Sequence, residues 1–356
     1  MPKFGICVPN YNYASYLEET LRSALDQTVS DLEVVVRDNA STDRSVEVAE
    51  ALDDPRVKVG INPCNVGFAG NLDRAMAMSQ ARFLLLLGSD DLLEPDLLET
   101  YERVVEASGA KPERTVFTAA LHRVDSDGRQ FGLCNVDRRV WHDAWRTPEL
   151  DSPARGPVYR TTGPSLLHEA LKRMTNPLST ITTVFPRVLW TAVGGYGGAR
   201  SMNPDKWFHW RLLAQAEDVF WVDRPLGSWR WHDKNQTAQQ DRSGALKYLV
   251  DDYQSTFELA PGILEVAGLT REEFADGFVE YDIARHGLAT LAQGNGAKAR
   301  RLLRFGAAAY PDHVRRNPKA WVLWALASAG PVGPWLASNA YRVYRKRDRR
   351  GLVDLD

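Results

Sequence analysis

The sequence predicts an α/β protein with a doubly wound, mostly parallel sheet flanked by helices and followed by a C-terminal helical extension. Over the first 120 residues, short apolar runs alternate with segments whose apolar residues recur at helical spacing. Repeated β-α-β units of this kind form parallel sheets that bind ligands at the carboxyl ends of their strands. From about residue 243 onward only helical patterns remain.

The N-terminal elements follow from the spacing of apolar residues and from their flanking residues. In the first predicted helix, Leu17, Leu21, Ala24 and Leu25 share one face. The strands are short runs rich in Val, Leu, Ile or Phe, and Pro95 suits the first turn of the fourth helix. The predicted strands are Phe4–Pro9, Leu32–Arg37, Val57–Ile61, Arg82–Leu87 and Thr115–Leu121, and the helices are Tyr16–Gln27, Asp43–Leu52, Gly67–Ser79 and 95–107.

The middle of the chain carries weaker patterns than the N-terminal part. Two adjacent glycines, Gly194 and Gly195, are typical of a helix end. In this region we predict helices over Leu166–Met174, Arg187–Val193 and Pro204–Ala214, with strands over Thr182–Phe185 and Val219–Val222. In the C-terminal region we predict helices over 244–260, 271–293, 296–309 and 318–345.

Composition excludes several classes of protein. The net charge of −2 gives no reason to expect a nucleic-acid partner. Cys7, Cys64 and Cys134 are far apart and form no CxxC, so a reducing compartment is expected rather than a disulfide framework or zinc site. No signal peptide is recognised, and no apolar run approaches the ~20 residues of a transmembrane helix. These observations predict a cytoplasmic α/β protein and do not identify its activity.

Polar residues follow three of the predicted strands. Asn10-Tyr11-Asn12 follows the first strand, Asp38-Asn39-Ala40-Ser41-Thr42-Asp43 the second, and Gly88-Ser89-Asp90-Asp91 the fourth. Such residues favour turns in any protein, so each segment alone could be ordinary turn chemistry. All three together predict a polar cleft at one edge of the sheet.

Residues 9–45, PNYNYASYLEETLRSALDQTVSDLEVVVRDNASTDRS, resemble the opening of family 2 glycosyltransferases. Asn62, Asn65, Gly67 and Asn71 match the N-x-x-N-x-G-x-x-x-N pattern, and GSDD at 88–91 matches the acidic turn. The resemblance covers about residues 3–235. It implies a GT-A-type fold with a donor-binding half at 1–122, an acceptor-binding and catalytic half at 123–242, and a helical region at 243–356.

The resemblance also implies roles for individual residues. Asp38 would accept a hydrogen bond from a base with a ring N–H, as in uracil, thymine or guanine, and would disfavour cytosine. Asp90 would bind Mg²⁺ or Mn²⁺ on the diphosphate. The donor-binding residues it implies are Pro9, Tyr11, Asn12, Asp38, Asn65, Asn71, Ser89 and Asp90.

Two further segments match the family in its catalytic half. Asp205, in PDKWFHWRL at 204–212, would be the base that takes the proton of the acceptor hydroxyl. The alternative is that Asp205 is an ordinary first-turn acid, which the dipole at a helix N-terminus favours. In Trp229-Arg230-Trp231-His232, His232 would be a metal ligand or would contact the diphosphate, with a structural histidine as the alternative. Arg230 would offset phosphate charge. Gly194, Gly195, Trp207 and His209 would lie on the acceptor side.

The chain departs from the family pattern at three positions. Gly88 stands where an Asp is common, which removes one carboxylate from the expected metal site. Ser89 and Asp91 are the candidate substitutes. Gly70 precedes Asn71 where an Arg is common, and Pro204 replaces an acid before Asp205, at a position where helices accept proline.

The predicted function is inverting transfer of a sugar, of the hexosyltransferase type, from a UDP- or dTDP-sugar, or a GDP-sugar, to an acceptor hydroxyl. Polysaccharide, glycolipid or glycosylated-metabolite synthesis would use such an enzyme. A sugar-phosphate nucleotidyltransferase and a non-catalytic nucleotide-sugar-binding protein are the alternatives.

Residues 318–350 join tryptophans to six basic residues between Arg342 and Arg350. Aromatic residues beside basic ones suit the interface of an anionic membrane. Peripheral contact at the inner face of the plasma membrane and ordinary packing of a helix on the protein are both open.

Overall fold

The computed structural model describes residues 1–134, 137–152, 156–197, 204–233, 235 and 247–347. Two compact units divide the chain. The first comprises Met1–Val136, Trp141–Leu166 and Asn176–Ala245, and the second comprises Asp137–Val140, Leu167–Thr175 and Leu246–Asp356. The division of residues 1–242 into donor and acceptor halves remains a prediction.

Ten strands of the first unit form one mixed sheet. In chain order they are β1 (Phe4–Asn10), β2 (Leu32–Asp38), β3 (Val57–Ile61), β4 (Phe83–Leu86), β5 (Leu92–Leu93), β6 (Thr115–Val124), β7 (Gln130–Cys134), β8 (Val158–Thr162), β9 (Val184–Pro186) and β10 (Asp218–Arg230). Their spatial order is β3-β2-β1-β4-β9-β6-β10-β5, with β7 paired to β6 and β8 to β10.

The N-terminal part of this sheet is parallel, as the sequence predicts. Strands β3, β2, β1 and β4 pair in parallel, and β6 pairs in parallel with β10. The register sets Asn10 opposite Asp38, so the polar ends of β1 and β2 meet at one edge. Antiparallel β9 lies between β4 and β6 and joins the two parallel groups.

The sequence predicted too short a last strand. The apolar run ends at Val222, but β10 continues to Arg230 across two irregularities in its pairing with β6, on either side of Pro225. Proline lacks the N–H that a regular ladder needs, so the strand passes it only with such shifts. The extension matters because it carries residues 229–232 to the end of β6, where Trp231 N donates to Val124 O.

Helices flank these strands and bury one face, as their spacing predicted. In the first helix Leu17, Leu21 and Ala24 are fully buried within the core built by β1, β2 and β4. The 3-10 turns are Pro112–Arg114, Arg138–Val140, Asp143–Trp145 and Pro148–Leu150. The first seven helices are α1 (Ala14–Leu25), α2 (Ser45–Glu50), α3 (Phe68–Met78), α4 (Leu97–Ser108), α5 (Gly163–Lys172), α6 (Arg187–Ala192) and α7 (Pro204–Leu213).

Helices also form the C-terminal unit. The predicted helix over 318–345 is two helices, because Gly330 has a left-handed φ of 59° and Pro331 cannot donate a backbone hydrogen bond. No described helix is long and apolar enough to cross a bilayer. The helices are α8 (Lys247–Glu258), α9 (Pro261–Val266), α10 (Arg271–Phe278), a π-helical stretch (Val279–Arg285), α11 (His286–Ala292), α12 (Gly296–Ala309), α13 (Pro311–Arg316), α14 (Pro318–Ser328) and α15 (Val332–Arg347).

Candidate functional site

The ends of β1 and β2 are joined through the carboxylate of Asp38. Asn10 Nδ2 donates to Asp38 Oδ2 at 2.8 Å, and Ser41 donates to both oxygens, from its backbone N at 2.8 Å and from its Oγ at 2.6 Å. Asp38 is only 1% exposed. Among the described residues its Oδ1 accepts one hydrogen bond, from Ser41 N, so an acceptor position remains for a ligand N–H. Asn10 Oδ1 is buried without a hydrogen-bond partner among the described residues.

The loops after β1 and β2 are joined through Asn12. Its Oδ1 accepts hydrogen bonds from Thr42 N at 2.7 Å and Asp43 N at 3.3 Å. Asn12 adopts a left-handed φ of 61°, which asparagine tolerates better than most residues. The neighbouring Tyr11 is 42% exposed. Asn12 therefore shapes this rim, while Tyr11 presents an aromatic ring to solvent.

Asparagine side chains tie the following loop to the same edge. Asn62 Nδ2 donates to Asn71 Oδ1 at 2.8 Å and to Asn39 Oδ1 at 2.9 Å. Asn71 Nδ2 donates to Arg37 O and Asn10 O, which uses both amide hydrogens. Asn71 thus holds the ends of β1 and β2 together through buried hydrogen bonds. Asn65 is exposed and accepts from Asn39 Nδ2 at 3.0 Å.

The acidic turn after β4 meets the chain segment that follows β10. His232 Nε2 lies 2.9 Å from Asp90 Oδ2, and Asn235 Nδ2 donates to the same oxygen at 2.8 Å. The His232 ring stacks on Tyr16, with ring centroids 4.7 Å apart. The two residues that the sequence predicted to hold a metal are therefore adjacent, although they lie 142 positions apart. Ser89 Oγ donates to Pro9 O at 2.8 Å, which ties this turn to the end of β1.

The buried side chain of Arg230 anchors the acidic turn. Its side chain is 1% exposed; Nε donates to Asp90 O at 2.8 Å and Nη2 contacts Glu19 Oε2 at 2.6 Å. The guanidinium also lies over the Tyr16 ring, 5.1 Å from its centroid. The expectation that Arg230 offsets phosphate charge does not fit this placement, because its donors are used inside the protein. No sequence signal pointed to Glu19 as its partner.

Gly88 has a steric explanation. A Cβ at position 88 would collide with Asp91 Oδ2, so the space of a side chain there is filled by the Asp91 carboxyl group. Asp91 Oδ1 accepts from Arg230 N at 3.0 Å. Burial, reinforced by the charge of Asp90, raises the pKa of Asp91 well above its usual range. Asp91 thus takes the place of the missing side chain without supplying a readily ionised carboxylate.

The second group of predicted residues lies at the start of α7. Asp205 is half-buried, and its Oδ2 accepts from Thr180 Oγ1 at 3.0 Å. One turn later His209 is buried, with Nδ1 2.9 Å from Asn176 Oδ1. Burial lowers the pKa of His209 to about 4, against the opposing effect of the Asp205 charge. His209 is therefore neutral at neutral pH. Trp207 Nε1 is buried without a hydrogen-bond partner among the described residues.

The glycine turn before α7 is held by two side chains that the sequence did not single out. Gly194 and Gly195 have left-handed φ values of 72° and 69°. A Cβ at Gly195 would collide with Asp73 Oδ1, which accepts from Tyr196 N at 2.6 Å. Arg211 on α7 donates to Gly195 O at 2.8 Å. The left-handed φ and the collision with Asp73 both require glycine at position 195. The hydrogen bonds of Asp73 and Arg211 fix the turn to α3 and α7.

The described residues contain no group of three or more His, Cys, Asp or Glu side chains arranged to hold a metal ion. Asp90 and His232 form a pair. A pair of protein ligands is enough only for an ion that also binds substrate oxygens.

The glycine at position 88 can be tested through its coupling to Asp91. Gly88→Ala should lower the free energy of unfolding by about 1–3 kcal/mol, the cost of overpacking a filled site. In the Asp91→Ala background the same change should cost much less, because the colliding oxygen is gone. Denaturant unfolding of the four variants measures this coupling. Gly70→Ala is the control, since a Cβ there makes only an ordinary 3.4 Å contact with Val66. Additive effects of Gly88→Ala and Asp91→Ala would contradict the steric explanation.

The buried His209 predicts a pH dependence of stability. Its pKa of about 4 lies below the ~6.5 of an unfolded histidine, so between these values the unfolded chain binds a proton that the folded chain does not. The free energy of unfolding should therefore fall as the pH drops through this window. His209→Gln should flatten the fall, as measured by denaturant unfolding at pH 7, 6 and 5. Equal slopes in both proteins would refute the assignment.

The N-terminal part of the chain is similar to a known protein family. Residues 5–129 match the model of glycosyl transferase family 2. A chondroitin synthase of Pasteurella multocida is 40% identical over 101 residues, which are 28% of this chain and 10% of that protein. The chain thus covers only a tenth of this relative's length.

Two solved structures share the fold. S. aureus TarS 1-349 in complex with UDP-GlcNAc has a TM-score of 0.62 at 18% identity, over 96% of this chain and 92% of that one. A mannosyltransferase from Pyrobaculum calidifontis in complex with GDP-Man and Mn²⁺ has a TM-score of 0.51 at 19% identity, over 100% and 88%. They confirm the predicted GT-A-like α/β fold with a helical C-terminal region. The match to the model of glycosyl transferase family 2 is confined to residues 5–129 of this fold.

Proposed function

We propose that this protein transfers a sugar from a nucleoside-diphosphate sugar to an acceptor hydroxyl, with inversion at the anomeric carbon. The observation that carries the proposal is the contact between His232 Nε2 and Asp90 Oδ2. It joins the last part of the domain to the acidic turn, which Ser89 in turn ties to β1. The complexes with UDP-GlcNAc and GDP-Man in the similar structures support a nucleotide-sugar donor.

The nucleoside would bind at the ends of β1 and β2. The free acceptor position on Asp38 Oδ1 suits a ring N–H, and the orphaned Asn10 Oδ1 would accept a second donor from the ligand. Uracil, thymine and guanine each carry a ring N–H of this kind. We therefore propose UDP- or dTDP-sugars as donors, with GDP-sugars as the further option. Tyr11 would stack on the base, since its ring is exposed at this rim.

A divalent cation fits the donor set of Asp90 and His232. A carboxylate oxygen and an imidazole nitrogen suit Mn²⁺, and a cation shared with a diphosphate needs few protein ligands. The carboxylate of Asp90 beside His232 and the raised pKa of Asp91 support an ion that is completed by substrate oxygens. Such an ion would supply electrostatic stabilisation to the leaving nucleoside diphosphate. The Mn²⁺ in the mannosyltransferase complex supports this choice.

The chemistry at the acceptor would be a single displacement. Asp205 would take the proton of the acceptor hydroxyl, whose oxygen forms a bond to the anomeric carbon as the bond from that carbon to the diphosphate oxygen breaks. Thr180 Oγ1 holds the Asp205 carboxylate by a hydrogen bond and so orients it. Neutral His209 would shape the acceptor side without exchanging a proton at neutral pH. Trp207 Nε1 would donate to an acceptor oxygen, since it has no described partner.

The chondroitin synthase among the relatives supports a hexosyl donor and a polysaccharide product. Glycolipids and glycosylated metabolites remain alternative products. A sugar-phosphate nucleotidyltransferase would instead release pyrophosphate, and a binding protein would neither transfer nor hydrolyse the donor. The cytoplasmic location and the peripheral placement at the plasma membrane stay predictions.

The proposed base can be tested with Asp205→Asn. The variant keeps the size of the side chain and should bind the donor with unchanged affinity by calorimetry. It should lose transfer by about 10²–10⁴-fold, because an amide cannot accept the acceptor proton. Glu99→Gln, which changes a first-turn acid of α4, is the control for a mere helix-end effect. Turnover of Asp205→Asn within a few-fold of the wild type would contradict the assignment. Pyrophosphate release by the wild type would contradict the proposed reaction itself.

A further inference from the structure

A long stretch without charge separates Lys319 from Arg342. Its 22 intervening positions carry none of the residues Asp, Glu, Lys or Arg. In the structure this stretch forms most of α14, the turn at Ala329–Pro331 and the first part of α15. So apolar a segment is normally buried inside a folded protein. Here only one face of it is buried.

Helix α14 is apolar on both faces. Leu323 is fully buried, and a Cβ at Gly287 on α11 would collide with its Cδ2, so this face packs tightly inside the C-terminal unit. The opposite face exposes Trp321, Val322 and Trp324 at 54%, 49% and 56%. Water-exposed helix faces of globular proteins are ordinarily polar, so this face is not explained by folding alone.

Helix α15 extends the same apolar character. Val332, Trp335 and Leu336 are 56%, 64% and 42% exposed. A Cβ at Gly333 would collide with Leu326 O, so glycine permits the two helices to approach closely. We call the six exposed side chains of Trp321, Val322, Trp324, Val332, Trp335 and Leu336 the apolar hairpin.

The surrounding sequence is strongly basic. Residues 296–350 contain thirteen Lys and Arg against two Asp, although the whole chain has a net charge of −2. The exposed end of α13 adjoins the apolar hairpin, since Trp321 Nε1 donates to Arg315 O at 2.8 Å. Six of the basic residues lie between Arg342 and Arg350, where the side chains are outside the described part of the chain.

We propose that the apolar hairpin docks on the surface of an anionic phospholipid bilayer. Tryptophan favours the boundary between head groups and acyl chains, and basic residues beside it are attracted to anionic lipid. The hairpin lies on such a surface rather than spanning it, because no described helix is long and apolar enough to cross. This inference is independent of the proposed function.

Charge also favours a bilayer over a second copy of the chain. Two copies meeting through this surface would bring their exposed Arg315 and Arg316 side chains close together, which like charges oppose. A negatively charged lipid surface instead complements them. The experiment therefore also measures the oligomeric state in solution, which distinguishes self-association from lipid binding.

The test is flotation of the full chain with vesicles of phosphatidylcholine alone or mixed with phosphatidylglycerol, without donor or acceptor. The wild type should float with the mixed vesicles, and high salt should weaken this binding. The variant Trp324→Ser/Trp335→Ser should bind at least about tenfold more weakly, because two exposed apolar anchors are lost. Trp321 is kept in this variant since it donates to Arg315 O.

The control variant is Phe131→Ser/Leu133→Ser, which removes two equally exposed apolar side chains from β7 and should float like the wild type. Unchanged thermal unfolding of both variants shows that folding is intact. A wild type that stays unbound, or a Trp324→Ser/Trp335→Ser variant that floats as well as the wild type, would overturn the proposal. So would a dimer in solution that this variant dissociates, because the hairpin would then be an interface between copies. Transfer activity on a soluble acceptor is a separate measurement and does not depend on the outcome.

Discussion

The contact between Asp90 and His232 is the interaction on which the candidate site depends. Asp90 leaves the sheet at the end of β4, whereas His232 follows β10 on the far side of β9 and β6. Their side chains meet only because β10 continues past Pro225 and because Arg230, two residues before His232, is anchored to the Asp90 carbonyl and to Glu19. A buried arginine left without these partners would be costly, so the anchor and the turn stabilise each other.

The anchoring by Arg230 also explains how the acidic turn accommodates a glycine at position 88. Arg230 N takes one oxygen of Asp91, and the other oxygen fills the space above Gly88. Burial raises the pKa of Asp91, and the neighbouring charge of Asp90 raises it further. Of the two side chains, Asp90 is the one that contacts His232. The raised pKa of Asp91 makes that carboxyl group the poorer ligand for a cation at this point.

The sequence could predict what local patterns encode. The spacing of Leu17, Leu21 and Ala24 gave α1, and the polar residues at three strand ends gave the edge where Asp38 and Asn10 meet. Contacts between distant residues left no such signal. The pairing of Arg230 with Glu19 spans 211 positions, and the role of Asp73 beside Gly195 depends on a turn 122 residues later. The reason for Gly88 required knowing where the Asp91 side chain points.

We propose that the edge formed by Asp38, Asp90 and His232 binds a nucleoside diphosphate together with a divalent cation. The most direct measurement is thermal unfolding of the wild type and of His232→Gln with UDP, dTDP, GDP or CDP, each with and without Mn²⁺. A ligand at 100 times its dissociation constant stabilises the folded state by about 2.7 kcal/mol, which is readily seen. We expect UDP or dTDP to raise the midpoint with Mn²⁺, CDP to fail, and His232→Gln to weaken the effect of Mn²⁺. Equal stabilisation by CDP, or none by any diphosphate, would contradict the account.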